Sequence, residues 1–180
     1  MKRYGPYLIG VVLAMAGAWA LVSRWSGDTI VVPLADRLAQ ASEARPSPEV
    51  FRVVDVALHG VSRRAVYASA PSRLTFTEQI PEHGWLDVAL GVREEAWTRE
   101  NTGVLFMVGV SAAGKYEELV SLIVNPFNNP ADRQWLPLKL DLAPWAGQSV
   151  QLIFNTRVSH PGGTGSPHLA LWGDPAIVIR

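Results

Sequence analysis

The sequence predicts an all-β domain, an antiparallel β-sandwich, behind one N-terminal transmembrane helix and a short linker helix. Three observations carry this expectation. An uncharged run extends from Tyr4 to Val22 behind Lys2 and Arg3. From Val50 onward apolar residues alternate with period two, and the segments between those runs have turn compositions. At 180 residues, with no cysteine and sixteen basic residues against sixteen acidic ones, the chain has room for one core and an appendage. That balance leaves no electrostatic footprint for nucleic acid. The lack of cysteine removes disulfides, thiolate metal sites and iron–sulfur ligation.

Residues 1–25 are expected to form the membrane anchor. At about 1.5 Å per residue the run from Tyr4 to Val22 extends roughly 28 Å, which crosses a bilayer surrounded by lipid. Tyr4, Tyr7, Trp19 and Trp25 sit near its ends, where aromatic rings favour the headgroups. Lys2 and Arg3 favour a cytoplasmic N-terminus, with the C-terminal domain periplasmic or extracellular. A cleaved signal peptide has the same order of features, with Ala18-Trp19-Ala20 as its cleavage site. Gly10, Ala14 and Ala18 recur every four residues, with Gly17 beside them, a stripe that lets a partner helix approach closely. The span holds no His, Asp, Glu, Lys or Arg, so it offers no ordinary pigment or haem ligand and no proton relay.

Residues 26–48 read as a linker. Pro33 suits a first helical turn, and Leu34, Leu38 and Ala41 share one helical side before "RPSPE" at 45–49 breaks the chain. Residues 49–180 read as the sandwich. Val50, Val54, Val56 and Leu58 share one strand face; Leu74, Phe76 and Ile80 another; Leu86, Val88, Leu90 and Val92 a third. Runs at 103–110, 118–124, 135–140, 148–157, 168–172 and 176–179 continue the series, giving eight or nine strands.

The connector "DLAPWAG" at 141–147 reads as frame. Asp141 accepts backbone N–H bonds at the start of one helical turn, and Gly147 supplies the positive φ that leaves it. Asp132, Trp135, Asp141-Leu142, Ala146-Gly147, Val150, Leu152, Phe154 and Thr156, then Trp172-Gly173 and Pro175-Ala176-Ile177, resemble the C-terminal half of the galactose-binding-like jelly rolls. These occur as carbohydrate-binding and accessory domains. The matching letters run from about Asp132 to Ile177, and the strand pattern from Glu49 to Arg180. The resemblance implies a jelly roll whose matched residues build the core and one connector, with ligand residues in variable loops.

Trp135 and Trp172 are expected as core plugs at strand ends. Trp97 and Trp145, on loops, are the candidates for stacking on a sugar, and Phe127 in "NPFNNPAD" joins them as a contact candidate. Leu105 and Met107 make the second face of the 103–110 strand apolar, so that strand needs two covers. The second cover is a loop, the 33–44 helix or a partner. Asp132, Asp141 and Asp174, with Asn125, Asn128 and Asn129, lack calcium-loop spacing, and no metal is expected. Glu94-Glu95 and Glu117-Glu118 are strand neighbours that point to opposite faces. The four histidines lack ligand spacing, and "HPGGTGSPH" at 160–168 lacks a phosphate-loop ending.

The expected function is therefore non-catalytic, with no cofactor. The leading expectation is an accessory or structural subunit of a larger integral membrane complex, a bioenergetic one (photosynthetic or respiratory) among the kinds that fit. Its partners would be other membrane subunits, packed on Gly10, Ala14, Gly17 and Ala18. The alternative is a membrane-tethered carbohydrate-binding module, and the third reading is a hydrolase accessory domain.

Overall fold

The computed structural model describes residues 27–159 and 169–180. The expected anchor at 1–25, its stripe of Gly10, Ala14, Gly17 and Ala18, and the glycine-rich run at 160–168 lie outside them. Among the described residues no helix is long and apolar enough to cross a membrane.

The strands are β1 (Thr29–Pro33), β2 (Glu43–Arg45), β3 (Phe51–Leu58), β4 (Val61–Ser69), β5 (Ser72–Gln79), β6 (Gly84–Val92), β7 (Val104–Ala112), β8 (Lys115–Val124), β9 (Leu136–Asp141), β10 (Ser149–Val158) and β11 (Leu169–Ile179). They form two stacked antiparallel sheets. The first runs β3-β4-β11-β6-β9, with β1 paired to the C-terminal half of β11; the second runs β2-β5-β10-β7-β8. Alternate residues of both sheets meet in the core: Leu86, Val88, Leu90 and Val92 from β6 lie buried with Val104, Phe106, Val108 and Val110 from β7. Trp172 stands at its centre, edge-to-face with Phe106 at 4.9 Å and with Phe154 at 5.1 Å. Each such pair contributes about 0.5–1.5 kcal/mol beyond the area it buries.

A second, smaller cluster covers the outer face of the first sheet. Ala65 and Tyr67 of β4, Ala89 of β6 and Leu171 of β11 lie beneath Trp135, which arrives from the β8–β9 connection. Its indole Nε1 donates to Val61 O at 2.8 Å. The strand glycines are matched to the ring: a Cβ on Gly91 or Gly173 would fall 2.9 or 2.7 Å from Trp135 Cζ3. Two dry faces also explain why the alternation missed β4. Its Ala65–Ala68 run is buried throughout, so no polar residue marks an outward position.

The segment at 26–48 is corrected from linker to sandwich. Thr29–Pro33 pairs with β11 and Glu43–Arg45 with β5, while only Leu34–Gln40 between them is helical, as a 3-10 helix. The β-branched "TIVV" finds hydrogen bonds along the free half-edge of β11, and Leu34 and Ala35 then plug the core. Asp28 anchors the segment through Lys139 and through Arg180, whose Nε donates to Asp28 Oδ1 at 3.0 Å. The two strands expected at 168–172 and 176–179 are one, β11, bent where its register shifts between Gly173 and Ala176 and where Asp174 takes φ 42°.

The connector behaves as frame. Asp141 Oδ1 accepts from Ala143 N at 2.8 Å at the start of the 3-10 turn Ala143–Trp145. Gly147 leaves it at φ +74° and donates its N–H to Ile80 O at 2.8 Å, while Ile80 N returns a bond to Gln148 O at 3.0 Å.

Candidate functional site

The outer face of the second sheet answers what covers β7. Leu105, Met107, Gly109 and Ser111 point outward there, opposite Arg157, Asn155, Ile153 and Gln151 of β10. The face continues onto β5 with Arg73, Thr75 and Thr77, paired with Asn155, Ile153 and Gln151. Met107 and Ile153 are each only 8% exposed, because the long polar side chains around them cover their flanks. No helix or loop lies over this face among the described residues; it is floored by apolar atoms and rimmed by polar ones.

Tyr116 forms one wall. The β7–β8 register shifts between Val108 and Gly109, so Glu118 faces Gly109 and Tyr116 reaches it diagonally. A Cβ on Gly109 would lie 2.4 Å from Tyr116 Cε2, so the phenol occupies space that only glycine leaves open. Tyr116 remains 48% exposed, a ring held against the strand on one side and open on the other.

The result is a groove of about 490 Å³, with Tyr116 and Glu118 on the β8 side and Glu43 and Arg73 on the β2–β5 side. It continues, through Arg73, Asn155 and Arg157, into an open depression of about 440 Å³ bounded by Arg45, Pro46 and Pro71. Its polar groups are oriented from within the protein. Arg73 Nε donates to Asn155 Oδ1 at 2.9 Å, Thr75 Oγ1 donates to Glu43 Oε2 at 3.3 Å, and Glu43 also holds Arg45. The Tyr116 hydroxyl is pushed above its ordinary pKa chiefly by burial and next by Glu118, against the opposing fields of Arg73 and Arg157. An exposed aromatic ring beside amide and guanidinium groups suits a ligand with an apolar C–H face and hydroxyls at its edge.

The residues expected to make contacts do not converge. Leu105 and Met107 lie on the groove face, and Met107 lines the groove. Trp145 is corrected from ligand contact to core residue, because its 3-10 turn tips the ring inward to join Val150 and Leu152. Trp97 is on the other sheet, half-buried against the Trp135 cluster, with Nε1 donating to Val92 O at 2.8 Å. Phe127 is half-buried in the β8–β9 connection. Asp132 is used internally, accepting from Asn125 N at 2.7 Å and Asn129 Nδ2 at 2.8 Å. Asp174 accepts from Arg63 Nη1 at 2.8 Å. Among the described residues no three His, Cys, Asp or Glu side chains group as a metal site.

Tyr116, Arg73, Asn155 and Arg157 were not singled out by sequence, although a signal existed. Arg73-Thr75-Thr77 and Gln151-Ile153-Asn155-Arg157 are the outward halves of strands whose inward halves were recognised.

No family model matches the chain. An uncharacterized protein of Archaeoglobus fulgidus is 34% identical over 109 residues, 59% of this chain, and the chain spans 27% of that protein's length. Among solved structures, the CBM51-2 and INT domains of Clostridium perfringens ZmpB match with a TM-score of 0.60 at 15% identity, over 82% of this chain and 31% of that one. CBM51 from Clostridium perfringens GH95, in complex with methyl-galactose, gives 0.57 at 14% identity, over 83% of this chain and 99% of that one. The chain shares the β-sandwich fold of these CBM51 structures. A further structure, CBM51-2 in complex with GlcNAc, also from ZmpB, gives 0.55 at 12% identity over 82% of this chain.

Proposed function

We propose that this chain is a non-catalytic carbohydrate-binding module, tethered to a membrane by the uncharged run in residues 1–25, that takes its glycan in the open groove of the second sheet. The observation that carries the reading is Tyr116. It is a half-exposed ring, backed by Gly109 and bordered by Arg73, Asn155 and Gln151, whose planar groups match sugar hydroxyls. The fold shared with CBM51 modules supports it, two of those modules having been solved with methyl-galactose and with GlcNAc. The role of subunit in a membrane complex finds no support among the described residues, and its packing stripe lies outside them. The test is retention of the full chain on a panel of immobilised polysaccharides, with Tyr116→Ala and Trp97→Ala compared. Tyr116→Ala should weaken binding roughly two- to tenfold, the loss of one stacking surface, while Trp97→Ala binds as wild type. Failure of the wild-type chain to bind any of the polysaccharides, or loss of binding only in Trp97→Ala, refutes the reading.

A further inference from the structure

Resting on that reading, we infer that the groove selects a sugar carrying a carboxylate, with Arg73 and Arg157 as the residues that recognise it. Both guanidiniums stand on the same outward face. Arg73 of β5 pairs with Asn155 of β10, and Arg157 follows two residues later, diagonal to Arg73 and beside it. Neither has a carboxylate partner among the described residues. Six other arginines of the domain are ion-paired: Arg37 with Glu78, Arg45 with Glu43, Arg63 with Asp174, Arg64 with Asp36, Arg93 with Glu95 and Arg180 with Asp28.

Arg73 is also aimed. Its Nε is held by Asn155 Oδ1 at 2.9 Å, which fixes the guanidinium plane and leaves the two terminal nitrogens without a protein acceptor among the described residues. A planar fork fixed in this way is matched by a carboxylate, which accepts two parallel N–H bonds. The two acids at the groove do not remove the need for an external anion. Glu43 is engaged by Arg45 and Thr75, and Glu118 stands on the opposite wall with Tyr116. Both Arg73 and Arg157 act on the ionisation of the Tyr116 hydroxyl, so all three lie within mutual electrostatic reach. A pyranose stacked on Tyr116 thus presents a ring carboxylate toward the β5–β10 side, where two cations meet it, and away from Glu118. A neutral sugar leaves the repulsion between those cations uncompensated.

The experiment measures binding of the full chain to polygalacturonate, to the same polymer after carboxyl reduction, and to dextran sulfate, at low and moderate salt. Polygalacturonate should bind about tenfold or more tightly than its reduced form, the increment of a charge-assisted fork. Arg157→Gln should abolish that preference while retaining Tyr116-dependent binding of the reduced polymer and the wild-type melting temperature; Arg73→Gln should abolish it too, with weaker binding of both polymers, because Arg73 also borders the stacked ring and orients Asn155. Arg73→Lys should not restore it, since a point charge lacks the fork. Equal affinity for polygalacturonate and reduced polymer overturns this inference but leaves the glycan reading standing. Binding to dextran sulfate as strong as to polygalacturonate, unaffected by Arg73→Lys, also overturns it, replacing recognition with simple polyanion attraction. Binding to none of the three, with the wider polysaccharide panel also blank, defeats both.

Discussion

Gly109→Ala and Gly91→Ala each insert one methyl group into nearly the same clash, and the structure predicts opposite outcomes. At Gly109 the new Cβ would lie 2.4 Å from Tyr116 Cε2; at Gly91 it would lie 2.5 Å from Leu58 Cδ1 and 2.9 Å from Trp135 Cζ3. Ordinary contact begins near 3.4 Å, so a neighbour must retreat by about 1 Å in both cases. Tyr116 is half exposed and swings outward at little cost. Alanine also restricts the unfolded chain, an effect of about 0.4–1 kcal/mol in favour of folding, so Gly109→Ala should be stability-neutral within about 1 kcal/mol. Leu58 has no exposed surface, and Trp135 is held by its bond to Val61 O and by Arg63 over its ring at 5.9 Å. Overpacking there costs about 1–3 kcal/mol. In a domain of this size that lowers Tm by roughly 2–4 °C per kcal/mol. Urea denaturation of both variants, with unchanged m-values, reads the two costs. Glycan retention then separates them again, because Gly109→Ala displaces the Tyr116 platform and Gly91→Ala leaves it in place. Equal destabilisation of the two variants, or full glycan binding by Gly109→Ala, would refute the assignment of Tyr116 as a movable wall of the site.

Two further outcomes test the frame. Gly147→Val should cost about 1–2 kcal/mol by urea midpoint, although nothing beyond its chain neighbours lies within 4 Å of the new Cβ, because valine resists φ +74°; Gly147→Asn should cost clearly less, and equal costs would contradict a backbone origin. Asp28 is held below its ordinary pKa of 3.8, first by its bond from Lys139 and then by Arg180. A carboxyl depressed on folding stabilises above its unfolded pKa, and that contribution fades as pH falls through the lower, folded value. Asp28→Asn should therefore be less stable than wild type at pH 7, with the difference closing below roughly pH 4; a gap of constant size across pH 2–7 would show that the charge is not its source.

Much of the inner core was legible in one dimension. Leu86, Val88, Leu90 and Val92, or Val150, Leu152 and Phe154, repeat every second residue, and the pleat alone sends them to one face. Asp141 and Gly147 were legible for a related reason, since a side-chain cap and a positive φ are local demands met by local chemistry. What the sequence could not decide were facts of pairing. Whether 29–33 is linker or strand depends on the free half-edge of β11, some 145 residues away, which no local propensity encodes. Trp97 and Trp145 look alike as loop tryptophans, yet Trp145 plugs the inner core while Trp97 packs on the outer face of the first sheet; Trp135, expected as a core plug at a strand end, is buried on that same outer face and not between the sheets. The groove belongs to the same class. Arg73, Tyr116, Asn155 and Arg157 come from three strands and meet only through register, and a single shift at Gly109 decides that Tyr116 lies across the sheet. Alternation fixes which side of a strand faces water; only the order and register of the strands decide which outward side chains become neighbours.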